Sequence, residues 1–226
     1  MPAFAAEQYG LSSWSVDVEQ RYQRKIPAGR RRQNQKTPAK PRQSHQMPGW
    51  LPDPDAGLEA WGQAANRAGR EMLAAYDNHL FHKSDPLSDT ALGSAWELFG
   101  RTLEYAYPAG FWEGMEDLLA GNPVDLEPFI RFLEVDPFFF RSGYAKADAL
   151  RGLKRAPLSA DQIRRLQEVI LHVVDAGFRR EFRYYCRLAR RIQTPDWLAR
   201  VEERLASNRP GVAVRARLVL ETCMQR

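Results

Sequence analysis

A chain of 226 residues with 44% hydrophobic residues is long enough to bury a core in one or two domains. No apolar run reaches the roughly eighteen residues of a membrane span, and the opening MPAFAAEQYG lacks the basic flank and apolar centre of a secretory leader, so a cytoplasmic protein without a membrane partner is expected. The net charge of +5 is segregated, since residues 1–46 carry +6, residues 47–137 carry −11 and residues 138–226 carry +10. Such a division suits a basic surface for nucleic acid or an acidic partner, or acidic and basic halves that face each other inside one molecule.

Residues 1–19 hold Phe4, Tyr9, Leu11, Trp14 and Val16 without sustained periodicity and read as a short docking motif. Residues 20–46 contain Pro27, Pro38, Pro41 and the run Arg30, Arg31 and Arg32, with almost no apolar side chains. That composition cannot bury enough area to offset chain entropy, so a disordered basic arm is expected. Its clustered cations suit contact with phosphates, a solubilising tail or a tethered protein contact. Tyr22 is its single aromatic, which does not make the stacking series of a single-strand binder.

Pro48, Gly49, Pro52 and Pro54 mark a boundary, and residues 47–226 are expected to form an all-helical domain with an acidic half (47–137) and a basic half (138–226). Leu58, Trp61, Ala65, Ala68, Met72, Ala75 and Tyr76 recur at intervals of three and four and predict a helix over 57–81. His79 and His82 stand three apart on it, too few for a metal site without further ligands. Ser88 or Asp89 is the expected cap of a helix over 90–107, with Leu92, Ala95, Trp96, Phe99, Leu103 and Ala106 inward. Shorter helices are predicted over 111–120 and 126–135. Glu113, Glu116, Asp117 and their neighbours read as a solvated acidic face, because no pair has the context of an acid–base couple.

In the basic half, Phe138, Phe139 and Phe140 cannot all point inward from a helix. A helix is predicted from Ser142 to about Lys154, and the capping-box sequence Ser159-Ala160-Asp161-Gln162 opens another to about Val174, with His172 a structural residue near its end. Thr194-Pro195 starts the next, with Trp197, Leu198, Val201 and Leu205 inward. Asn208-Arg209-Pro210-Gly211 then turns the chain into a final helix containing Val212, Ala216, Val219 and Cys223. The two cysteines, Cys186 and Cys223, sit on or beside apolar stripes and read as buried thiols of a reducing compartment.

Between these elements lies the stretch Phe178–Ile192, FRREFRYYCRLARRI. On a helix, Phe178, Phe182, Tyr185, Ala189 and Ile192 fall within about 80° and predict a buried stripe. Arg179, Arg180, Arg183, Arg187, Arg190 and Arg191 fall within about 120° on the other side, with Tyr184 at the edge. Six guanidinium groups are thus expected on one solvent face, offset nearby only by Glu181.

Helix starts expected near 161, 178, 195 and 212 recur about every 17 residues. A shift of 34 superposes Phe178, Phe182, Tyr185 and Ala189 on Val212, Ala216, Val219 and Cys223. With a helix opened by Pro195, a polar Asn-Arg-Pro-Gly turn and Val214-Arg215 early in the second helix, residues 161–226 resemble HEAT-type helical repeats. The match has two registers: Val214-Arg215 leaves Leu218 where the repeat prefers a small residue, and Val212 with Ala216 puts Ala213 in place of the arginine. The resemblance implies hairpins stacked as a short solenoid, against an irregular helical bundle, and a scaffold for proteins or nucleic acids.

No P-loop, G-x-S-x-G, metal-spaced Cys/His set or dinucleotide fingerprint is present. The expectation is a non-enzymatic helical adaptor that docks an acidic protein partner through its basic C-terminal face and basic arm, with no cofactor, metal or small-molecule ligand. The alternative is a nucleic-acid-binding module in which Arg179, Arg183, Arg187 and Arg190 track a phosphate backbone without sequence specificity. An enzyme with an unrecognised, scattered site is a further alternative, and no pattern fixes an oligomeric state.

Overall fold

A computed structural model describes residues 48–82 and 85–225. The proposed docking motif at 1–19 and the arm at 20–46, with Arg30, Arg31 and Arg32, lie outside the described residues. Those described are all-helical: α1 Leu58–Phe81, α2 Pro86–Tyr105, α3 Met115–Ala120, α4 Glu127–Val135, α5 Ser142–Leu153, α6 Ala160–Ala176, α7 Phe182–Ile192, α8 Pro195–Glu202 with a 3-10 turn Glu203–Ala206, and α9 Pro210–Met224. Among the described residues no helix is long and apolar enough to cross a membrane.

Local chemistry sets most of these boundaries. Trp61, Ala65, Ala68 and Met72 are buried along α1 as their spacing predicts. Ser159 and Gln162 make a reciprocal capping box at α6, and the Thr194 hydroxyl accepts from the Trp197 amide ahead of α8. At α2 the expected cap is wrong: Asp85 accepts from the Leu87 amide at 3.0 Å with Pro86 in the first turn, and Ser88 is buried inside the helix. Asp85-Pro86 is therefore the start of α2. The α2 face is also less covered than predicted, since of its apolar positions only Phe99 is fully buried within the helix.

The elements pack in two rows. One row comprises α3, α5, α7 and α9 in successive contact; α4 and α6 are packed in the other, with α8 beyond them. The α1–α2 hairpin adjoins the rows through α1 and α4. Chain order thus makes three consecutive hairpins, α4–α5, α6–α7 and α8–α9, one more than the periodicity of 161–226 revealed. Ion pairs and hydrogen bonds tie the second row together. Arg165 of α6 holds Glu127 and Glu134 of α4, Arg200 of α8 holds Glu168 of α6, and Arg204 grips Asp175 with contacts at 2.8–3.2 Å. Trp197, 2% exposed, donates its indole N–H to the Gln167 carbonyl, while the Gln167 amide donates to the Ile192 carbonyl at the end of α7.

The core is continuous from Trp61 to Cys223. Its aromatic end gathers Tyr107, Phe111, Phe129, Phe132 and Phe139 at centroid separations of 4.7–6.2 Å. Of the three consecutive rings, Phe139 is buried, Phe140 is half-buried against Phe99 and Phe138 is 63% exposed. Leu198 is half-buried and Leu205 is exposed, so α8 covers less than its predicted stripe.

Where α5 crosses α3, a Cβ on Gly152 would lie 2.3 Å from Leu118 Cγ. Gly152→Ala is expected to destabilise by about 1–3 kcal/mol through overpacking, despite alanine's higher helix propensity, read as a lowered urea midpoint. Hydrogen bonds from Arg165 and Arg200 hold Glu127 and Glu168 below the usual carboxylate value of 4.5. A lowered folded pKa gives stability that is present above pH 4.5 and lost as pH falls through the folded value. Because these carboxylates are about half exposed, each pair contributes about 1 kcal/mol or less. Arg165→Met is expected to remove its share near neutral pH and flatten the decline in acid, measured by urea titration across pH.

Candidate functional site

The site begins with a buried charge. Helix α4 ends at Val135, and Asp136 takes a left-handed conformation (φ 51°) that turns its carboxylate, 5% exposed, toward the core. Pro137 follows and cannot continue a helix. Side chains meet two backbone groups of the segment that follows: Asn66 of α1 donates to the Phe138 carbonyl at 2.8 Å, and the Phe139 amide donates to Ser142 Oγ at 3.2 Å. Lys146 of α5, 1% exposed, donates its ammonium to Asp136 Oδ1 at 2.6 Å and to the Pro137 carbonyl at 2.8 Å. Burial pushes the Lys146 pKa down, with Asp136 opposing.

The other Asp136 oxygen, Oδ2, is in an ion pair with Arg179 Nη1, which is not aligned for a hydrogen bond. Glu181 is 6% exposed and tucks against Gly143, where a Cβ would come within 2.9 Å of its Oε2. The Tyr185 hydroxyl beside them is buried without a hydrogen-bond partner among the described residues, and burial followed by the Asp136 and Glu181 charges pushes its pKa well up.

This arrangement corrects the expected arginine face. Residues 178–181 are not helical, and α7 starts at Phe182. Phe178, expected in the buried stripe, is 61% exposed, and its ring lies 5.3 Å from that of Phe182. Arg179, expected in solvent, is drawn inward to Asp136. Glu181 does not offset the ridge but joins the core. Cys186 and Leu188 are also buried, so the inward arc of α7 widens to about 160°. The shift of 34 therefore matches buried residues at three of four pairs, failing at Phe178 against the buried Val212. On α9, Val212 and Ala216 set the inward register while Val214 is half exposed. Arg215 is buried and donates Nε–H to the Val174 carbonyl at 2.7 Å.

Arg183, Arg187, Arg190 and Arg191 are exposed on the outer face as predicted. The Arg180 guanidinium stacks 4.0 Å over the Tyr144 ring of α5 and bonds its hydroxyl. Half-buried Tyr184 is surrounded by Arg183 at 4.8 Å, Arg187 at 5.5 Å and Arg151 at 6.0 Å, and its hydroxyl accepts from Arg183 at 2.9 Å. Among the described residues no carboxylate forms an ion pair with Arg180, Arg183, Arg187, Arg190 or Arg191. Glu113, Glu116 and Asp117 remain solvent-exposed. Acidic and basic halves do meet, but at Arg165 and Asp136 rather than over this ridge.

Between α7 and α9 lies a groove of about 430 Å³. Arg179, Arg180, Arg183, Arg187 and Arg190 line one side, Phe178, Phe182 and Cys186 contribute apolar surface, and Leu218, Thr222 and Gln225 face them from α9. Arg191 is outside it. The two helices run in the same direction, because Phe178 lies by Arg215 while Gln193 donates to the Cys223 carbonyl at 3.4 Å. The groove is electropositive and offers no activated nucleophile, since burial holds the Cys186 thiol at about 11, and Cys223 likewise. Both cysteines are free. Of the histidines, His79 Nδ1 approaches Ser88 Oγ and Asp89 Oδ1 at 3.4 and 3.3 Å, and His172 is exposed. Among the described residues no three His, Cys, Asp or Glu side chains converge as a metal set.

No family model, curated protein or solved structure matches the chain.

Asp136, Lys146, Tyr144, Leu218, Thr222 and Gln225 are site residues that sequence periodicity did not reveal. Asp136-Pro137 carried only a chain-breaking signal, and nothing local marks Lys146 as buried. Leu218 was visible as an apolar residue four beyond Val214, off the inward stripe of α9. Asp136→Ala leaves two cations without their counter-charge and is expected to cost about 3–5 kcal/mol. Arg191→Ala is expected to change stability by less than about 0.5 kcal/mol, both measured by chemical denaturation.

Proposed function

We propose that the chain is a non-enzymatic helical binding protein that docks an acidic protein partner in the α7–α9 groove. The observation that carries this proposal is that Arg180, Arg183, Arg187 and Arg190 line a groove with apolar surface while no carboxylate of the described chain pairs with them. A guanidinium makes paired hydrogen bonds to a carboxylate, and the exposed Phe178 and Leu218 beside it suit the apolar side chains that a protein carries and a phosphate backbone does not. The parallel course of α7 and α9 and the three successive hairpins support a HEAT-like scaffold as part of the same proposal. The cations of 20–46, Arg30, Arg31 and Arg32 among them, add a second basic element by sequence. Two buried, unbridged cysteines support a cytoplasmic setting.

Nucleic-acid binding is the second reading, favoured by Arg183, Arg187 and Arg190 standing in one row along an exposed helix face. The two separate in a titration of full-length protein against a fluorescein-labelled oligoglutamate peptide and a single-stranded oligonucleotide of equal charge. Binding of the peptide is expected, weakened at least about tenfold by R183E/R187E/R190E, with an unchanged helical circular-dichroism spectrum. Preference for the oligonucleotide with a steep salt slope would establish the second reading, and peptide binding indifferent to the triple substitution would remove the groove from the proposal.

A further inference from the structure

We infer that the groove's ligand is an acidic amphipathic helix, held with its carboxylate row against α7 and its adjoining apolar row against α9; this rests on the acidic-partner proposal above. The two walls differ in chemistry. On α7, Arg183, Arg187 and Arg190 stand four and three residues apart, two turns spanning about 10 Å. On α9, Leu218 is 37% exposed in the groove wall, Val214, 50% exposed, stands one turn before it outside the lining, and Thr222 and the capping residue Gln225 follow. Leu218, Thr222 and Gln225 line the groove, and Phe178 lines it with its ring 61% exposed.

A ligand must therefore present anionic and apolar groups side by side in two parallel rows. A helix with carboxylates at i, i+4 and i+7 repeats the arginine spacing and can carry leucines on the neighbouring stripe of the same side. An extended strand alternates its side chains between opposite faces and would turn one of the two rows away. The groove's 430 Å³ takes the apolar side chains while the helix backbone rides above the rims. Arg180 stacked on Tyr144, and Arg183 bonded to Tyr184, hold their guanidinium groups beside the ligand's path before it arrives.

Full-length protein is titrated by fluorescence anisotropy with three labelled peptides of Glu, Leu and Ala: one patterned as described, one a scramble of identical composition, and one patterned but with a single central alanine replaced by proline. The patterned peptide is expected to bind at least about tenfold tighter than the other two, and to gain helical circular dichroism on binding. Arg187→Glu and Leu218→Glu, both at solvent-exposed positions, are each expected to weaken it about tenfold. Equal affinity for all three peptides, with loss only in Arg187→Glu, overturns the helical ligand and leaves the acidic-partner proposal standing. Failure of the patterned peptide to bind saturably also overturns it, and a single-stranded oligonucleotide that binds when no peptide does removes the acidic-partner proposal as well.

Discussion

The carboxylate of Asp136 has one oxygen committed to Lys146 and the other to Arg179, and the geometry of the basic half depends on that division. A lysine at 1% exposure is tolerable only when its charge is met and its protons are used. Asp136 meets the charge, and the Pro137 carbonyl takes a second proton. The same aspartate reaches the segment before α7 and draws Arg179 in. A residue pulled inward there cannot lie on the outer face of a helix, so residues 178–181 form a connection and α7 begins only at Phe182. One buried ion pair thereby decides where the arginine helix starts and releases Phe178 to the rim of the groove.

The features legible in the sequence are those whose cause is local. The interval pattern from Leu58 to Tyr76, the reciprocal box at Ser159 and Gln162, and Thr194 ahead of Pro195 all act within a few residues, and each appears where it was read. Asp85 is local too, yet Asp-Pro serves equally as a helix end and a helix start, and the cap goes to the residue whose carboxylate can reach the next free amide. Arg179 was illegible for a different reason. Its partner stands 43 residues earlier, and no helical wheel contains a neighbour from another element. The exposed row of Arg183, Arg187, Arg190 and Arg191 was legible because no carboxylate of another described element draws these side chains inward, so the helix's own periodicity is decisive.

Charge segregation along the chain is resolved by position as well as by pairing. Arg165 faces Glu127 and Glu134, and Arg200 faces Glu168. Glu168 follows Glu134 by 34 residues and Arg200 follows Arg165 by 35, so the staple between neighbouring hairpins recurs with nearly the period of the hairpins themselves. Each staple is exposed enough that screening limits its contribution. Its stronger consequence is register: a guanidinium that makes paired bonds to one carboxylate, as Arg200 does, or to two, as Arg165 does, fixes one helix against the next along their axes as well as in distance. The buried faces then meet in one way, and the outer arginines of α7 are left on the surface without a carboxylate partner among the described residues.

The groove and the support behind it draw on three consecutive hairpins, which is why no single stretch announces it. Tyr144 comes from α5, the arginines from α7 and its approach, and Leu218 from α9. A free arginine side chain carries about 2 kcal/mol of rotamer entropy that a ligand must overcome, and a cation–aromatic stack worth about 0.5–1 kcal/mol in an exposed setting offsets part of it beforehand. Arg180 receives that support from the preceding hairpin and Arg183 and Arg187 from Tyr184 in their own helix. Arg190 lines the groove farther along α7, beyond these tyrosines. The cations that a ring supports therefore lie toward the start of α7, near Phe178, and Arg190 toward its end, so the ligand proposed above would meet its best-organised contacts beside Phe178 and complete its ion pairs toward Arg190.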